Sequence, residues 1–120
     1  MTFGNLKPGS AALAIGVAVV ISPGAAEAQT KELSGERFLQ VHSGQCISYW
    51  GASEGTQCFN ADGTTNYDDT TYGTDTGVWR VDGDDVCVTW SQEAVEGCGP
   101  VMKAGEGVYR DNDGYTWTIN

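Results

Sequence analysis

Residues 77–90 read GVWRVDGDDVCVTW, and their pairing decides the fold. With Gly83 and Asp84 at the tip of a two-residue turn, Asp82 faces Asp85, Val81 faces Val86, Trp79 faces Val88 and Gly77 faces Trp90. Successive side chains point to opposite faces of a strand. This pairing therefore puts Trp79, Val81, Val86, Val88 and Trp90 on one face, and Arg80, Cys87 and Thr89 on the other. Val78 is the one large apolar side chain outside the set. A slip of one residue would scatter that set over both faces. The stretch predicts a β-hairpin whose aromatic–aliphatic cross-strand pairs contribute about 0.2–1 kcal/mol each. Glycine supplies the positive φ that tight hairpin turns need. The acids beside it form and solvate the turn. They do not read as a calcium loop, which takes oxygen ligands at alternating positions over a longer segment closed by a late acid.

From Gln45 onward the chain repeats this grammar. Short runs of β-branched and aromatic residues are separated by Gly51-Ala52-Ser53, Asn60-Ala61-Asp62-Gly63 and Asp111-Asn112-Asp113-Gly114. Strands are expected over 45–50, 56–60, 64–67, 77–81, 86–90, 101–103, 107–110 and 115–119. Regular short strands with Asp-Gly turns predict a mainly β fold, a small antiparallel meander or barrel-like sheet. The turns at 60–63 and 111–114 suit a type I turn closed by a glycine bulge. Aligning Gly114 with the glycine of an EF-hand loop puts Tyr109 where a carboxylate belongs. Residues 68–76, nearly all Asp, Thr, Tyr and Gly, are expected as a mobile loop.

Upstream, one short helix is expected. Ser34 can accept a backbone N–H as N-cap, and Leu33 and Phe38 have the spacing of a hydrophobic staple. Phe38, Val41 and His42 share a face, and Gly44 suits a left-handed stop. Residues 29–33 are expected to be a frayed tail. The first segment, residues 1–28, reads as a secretory signal peptide. It has Lys7, an apolar run from Ala11 to Ile21, a Ser22-Pro23-Gly24 break, and Ala26-Glu27-Ala28 at the cut. That run is shorter than the roughly 20 residues a membrane span needs. Residues 29–120 then form a single domain without stable membrane insertion, periplasmic or secreted.

A chain this short buries a modest core and benefits from staples. Export and four cysteines, Cys46, Cys58, Cys87 and Cys98, argue for two disulfides. Three pairings are possible; Cys46–Cys58 with Cys87–Cys98 closes the shortest loops and is the expected one. A zinc site lacks its usual ligand spacing, since no CxxC occurs and His42 is the sole histidine. No metal or other cofactor is expected. The formal charge of −10 repels nucleic acid and anionic lipid. It keeps a small protein soluble and monomeric, and favours a basic partner over an acidic one.

Catalytic signals are few. The sequence has no nucleophile elbow and no phosphate loop. The adjacent pairs Asp68-Asp69 and Asp84-Asp85 point to opposite faces of a strand and cannot share a proton locally. His42 as a general base competes with a structural role on a packed helix. Aromatic residues remain. Tyr49 and Trp50 alternate, so one faces away from what the other packs on. Tyr67 and Tyr72 flank the acidic loop. These four are the candidate ligand-binding residues, against a role as core filler in a chain poor in Leu and Ile.

The segment Gly77 to Trp90, followed by Glu96-Gly97-Cys98, resembles a family of small secreted bacterial proteins of unknown function. Leu33-Ser34-Gly35, Ser43-Gly44 and Asn60-Ala61-Asp62-Gly63-Thr64 match the same pattern, which covers nearly all of residues 29–120. The resemblance implies an exported β-rich domain and a Cys87–Cys98 bridge, and it transfers no catalytic residue. The expected function is that of a non-enzymatic domain binding or inhibiting another envelope protein. The alternatives are an enzyme acting on cell-envelope material and a carbohydrate-binding module using exposed aromatics.

Overall fold

A computed structural model describes residues 31–120; the expected signal peptide and its cut after Ala28 lie outside the described residues. The elements run β1 (Lys31–Glu32), α1 (Gly35–His42), β2 (Gln45–Trp50), β3 (Glu54–Phe59), β4 (Thr64–Asp69), β5 (Gly73–Asp82), β6 (Asp85–Trp90), β7 (Gly97–Gly105), β8 (Val108–Asp111) and β9 (Thr116–Ile119). Strands β2 to β9 pair in sequence order, all antiparallel, and β9 pairs back onto β2. The result is a closed eight-stranded meander barrel. Closure leaves no free edge among these strands.

The β5–β6 hairpin has the register read from the sequence: Asp82↔Asp85, Val81↔Val86, Trp79↔Val88 and Gly77↔Trp90. Gly83 takes φ 64° at the first turn position, where a side chain would be strained. Trp79, Val86, Val88 and Trp90 point into the barrel with Ile47, Phe59, Val101 and Trp117, all buried. Outward-facing positions carry the cysteines. Cys46 faces Cys58 across β2–β3, Cys87 faces Cys98 across β6–β7, and both pairs are bonded. Each bridge links neighbouring strands, so it fixes the register of its pair. Two disulfides fit an oxidising, extracytoplasmic environment. No helix of the described residues is long and apolar enough to cross a membrane.

Helix α1 stoppers one end. Ser34 caps it by accepting the Arg37 N–H at 3.1 Å, and Gly44 follows with φ 81°. A Cβ on Gly35 would lie 2.0 Å from the Gly83 carbonyl oxygen, so only glycine lets the helix seat on the β5–β6 turn. Asp84 Oδ1 accepts the Gly35 N–H at 3.0 Å in the same contact. Phe38 and His42 enter the core, where their rings stack at 3.9 Å. His42 Nε2 accepts the Trp117 indole N–H at 3.0 Å. The ring proton therefore sits on Nδ1, toward the Phe38 carbonyl but short of hydrogen-bond geometry. Burial pushes His42 down to about 4, partly offset by that carbonyl.

Two expectations are corrected. Residues 68–76 are not a loose loop: they are the ends of β4 and β5, with Asp69↔Gly73 and Asp68↔Thr74 in register. The reason is chemical. Asp69 and Asp75 point inward, and hydrogen bonds satisfy their carboxylates, so a polar stretch can still be barrel wall. Residues 31–33 are not frayed: Lys31 and Glu32 pair with Lys103 and Met102, and the Leu33 N–H donates to the Val101 carbonyl at 2.7 Å. They occupy the edge of β7 beyond the start of β6, where Asp85 pairs with Pro100.

Candidate functional site

The meander sends its connections alternately to two ends. The turns after β3, β5 and β7 lie at the helix end. The turns after β2, β4, β6 and β8 gather at the opposite, turn end. Asp69, the last residue of β4, organises that end. Its Oδ2 accepts from Tyr49 OH at 2.6 Å and from Ser53 Oγ at 2.7 Å. Its Oδ1 accepts the Thr71 and Tyr72 N–H groups at 2.7 and 2.9 Å. Ser53 has given its one proton to Asp69, so Tyr115 OH donates to Ser53 Oγ at 3.0 Å. One carboxylate thus joins three of the four connections. Burial alone would raise it, but the hydrogen bonds from Tyr49, Ser53, Tyr72 and Thr71 prevail and hold it at about 2. Burial and the same anion push the Tyr49 phenol well up. A carboxylate this acidic is a poor proton acceptor at neutral pH, and it serves as a fixed anchor.

Two further buried aspartates repeat the device. Asp75 Oδ1 accepts from Ser91 Oγ, and its Oδ2 accepts the Gln92 N–H at 3.2 Å, which ties β5 to the long β6–β7 connection. The Ser91 bond is the main cause that lowers its carboxyl, against a smaller effect of burial. Asp111 Oδ1 accepts the Asp113 and Tyr115 N–H groups at 2.9 and 3.0 Å and closes its own turn. Its Oδ2 is buried without a hydrogen-bond partner. Burial pushes Asp111 up to about 6 and the nearby Asp113 adds to the shift, while the backbone N–H groups oppose it.

The four candidate ligand-binding residues divide by exposure. Tyr49 and Tyr67 are buried; Tyr67 packs edge-on against Trp90, with ring centroids 4.7 Å apart. Trp50 is 47% exposed and Tyr72 is 60% exposed, both at the turn end. Val95, in the β6–β7 connection, is 69% exposed at the same end and carried no signal in the sequence beyond being a loop valine. Trp50 pairs with Glu54, whose carbonyl accepts the Thr70 N–H. Trp50 and the turn bearing Tyr72 are therefore two strand spacings apart, about 10 Å. Sequence reasoning missed Asp69 and Ser53 as organisers. The one signal was the alternation Thr65, Tyr67, Asp69 on β4.

Among the described residues, the one group of three metal-ligating side chains within 4.8 Å is Cys87, Glu96 and Cys98. Both cysteines are in the disulfide, so it offers no thiolate. Glu96 belongs to Arg80, whose Nε and Nη2 donate to its two carboxylate oxygens at 2.8 and 2.9 Å, beside that bridge. Comparison with family models, curated proteins and solved structures finds no match to this chain.

Proposed function

We propose that this chain is an exported, non-enzymatic β domain that binds another protein of the cell envelope and can inhibit it by occupying its surface. The observation that carries the reading is the placement of Trp50, Tyr72 and Val95. Three of the five large apolar side chains exposed among the described residues stand at one end of the barrel, Trp50 as the last residue of β2 and Tyr72 and Val95 on connections. Exposed aromatics on a rigid scaffold are the usual anchors of protein recognition, and loops held by a barrel carry function more often than its wall. The Asp69 network fixes the backbone that presents Trp50 and Tyr72, and Asp75 ties down the connection that carries Val95, which lowers the ordering cost of association. The resemblance to small secreted proteins and the two disulfides support export.

The test is affinity capture from periplasmic extract with the disulfides intact, using the natural chain beside a W50A/Y72A/V95A variant. One protein recovered in stoichiometric amount by the natural chain and lost by the variant supports the reading. Release of sugars or peptides from envelope material by the purified protein refutes it, as does equal capture by both chains.

A further inference from the structure

The charge of the turn end separates it from the rest of the molecule. Segments 50–54, 68–76, 90–97 and 111–116 contain eight acids and no lysine, arginine or histidine. Of the five basic residues of the described chain, Lys31, Arg37, Arg80 and Lys103 lie on the helix end or the outer wall, and Arg110 alone borders the turn end, where it pairs with Thr116 across from Trp50. Three of the eight acids, Asp69, Asp75 and Asp111, are buried anchors. Glu96 is taken by Arg80. The other four are exposed: Glu54, Asp68 and Glu93 on the same connections or strand ends as Trp50, Tyr72 and Val95, and Asp113 in the β8–β9 turn. Two independent features therefore coincide: a predominantly acidic field, with Arg110 the one cation at its border, and three exposed apolar side chains.

Resting on the protein-binding reading, we propose that the turn end is the docking face and that its partner is a cationic protein surface with apolar side chains among its lysines or arginines. An acidic or neutral partner would have to desolvate Glu54, Asp68 and Glu93 without compensation. A basic partner gains from them both in encounter rate and in register. Trp50, Tyr72 and Val95 then anchor the contact at separate points around the barrel end, with the acids between them. A membrane surface is disfavoured, since anionic headgroups meet the same repulsion.

The probe is a lysine-rich synthetic peptide carrying two leucines, titrated into the isotopically labelled, disulfide-intact protein and followed by amide shifts. Shifts confined to the four turn-end segments are expected, with affinity falling as salt rises. Neutralisation in E54Q/D68N/E93Q weakens binding roughly tenfold, the sum of three exposed charge contacts. E32Q/E36Q/E106Q, which removes the same charge from the other end, changes it less than about twofold. Equal loss in both triple variants, shifts spread over both ends, or no shifts at all overturns the inference. Those outcomes leave protein binding standing on its own capture experiment. A captured partner that is acidic, or whose capture ignores salt, would also overturn this inference while preserving that reading.

Discussion

Replacing Asp69 by alanine is the perturbation from which the turn end has most to lose. Asp69 is 4% exposed and accepts from Tyr49, Ser53 and two backbone N–H groups. The truncation leaves the buried Tyr49 hydroxyl and two N–H groups without an acceptor, whereas Ser53 can turn to Tyr115. A buried polar group stranded in this way costs about 1–3 kcal/mol. The N–H groups lie in a surface turn and can recruit water, so the loss should be about 3 kcal/mol. For a domain this size that lowers Tm by roughly 12–24 °C. Asp69→Asn keeps the shape and one acceptor but turns a donor toward the hydroxyls, and should cost about half as much. The assay is thermal unfolding followed by tryptophan fluorescence, disulfides intact. It also has a pH signature. The folded carboxyl is held below its unfolded value of 3.8, at about 2. Its ionised form therefore stabilises the fold above that unfolded value, and the benefit is lost as pH falls through about 2. The gap between the natural chain and Asp69→Ala should narrow across that window. A loss under about 1 kcal/mol at neutral pH, or a gap that does not change with acid, refutes the anchoring role.

Three further outcomes follow from the same geometry. Asp111 is raised to about 6, so its contribution is lost as pH rises through that value. His42 is lowered to about 4, so its contribution is lost as pH falls from 6.5 toward that value. The two slopes oppose each other. The natural chain should show a nearly flat Tm across the window and Asp111→Asn a Tm that climbs with pH; relief of the buried charge gains about 1 kcal/mol at neutral pH, kept that small because the new amide lacks a partner for its donors. Trp117→Phe strands His42 Nε2 in the core and should cost about 1–3 kcal/mol in urea unfolding, measured as a lower midpoint. Limiting reductant should open Cys46–Cys58 before Cys87–Cys98, since Cys87 is 1% exposed and the Arg80–Glu96 pair flanks its bridge. Alkylation and peptide mass mapping give the order, and the reverse order counts against that shielding.

The β5–β6 hairpin was legible because its apolar side chains are large and alternate without interruption. The β4–β5 hairpin was not, although it is equally regular. Its inward positions include Thr65, Asp69 and Asp75, which give no hydrophobic period, and the groups that satisfy the two carboxylates come from residues as distant as Tyr49 and Ser91. The two-residue strand at Lys31 is set by pairing with β7, some 70 residues on, and has no local signal. Sheet against closed barrel stayed open for the same reason, because closure depends on β9 meeting β2. At the candidate site, alternation told that Tyr49 and Trp50 part company. Which one faces inward is decided by Asp69, a partner across two strands. Tyr67 was grouped with Tyr72 by nearness in sequence, yet Tyr67 faces the core from β4 and Tyr72 is exposed in the turn that follows.

The gathering of the four connections at one end, and with it the docking face, depends on the barrel being closed. Hα–Hα contacts in a nuclear Overhauser spectrum test that most directly. Tyr49 with Trp117 and Val101 with Asp111 should each give a strong cross-peak, because each pair is in register across the strands that complete the ring. An absent Tyr49–Trp117 peak, with the Asp82–Asp85 turn intact, would mean an open sheet and contradict the account.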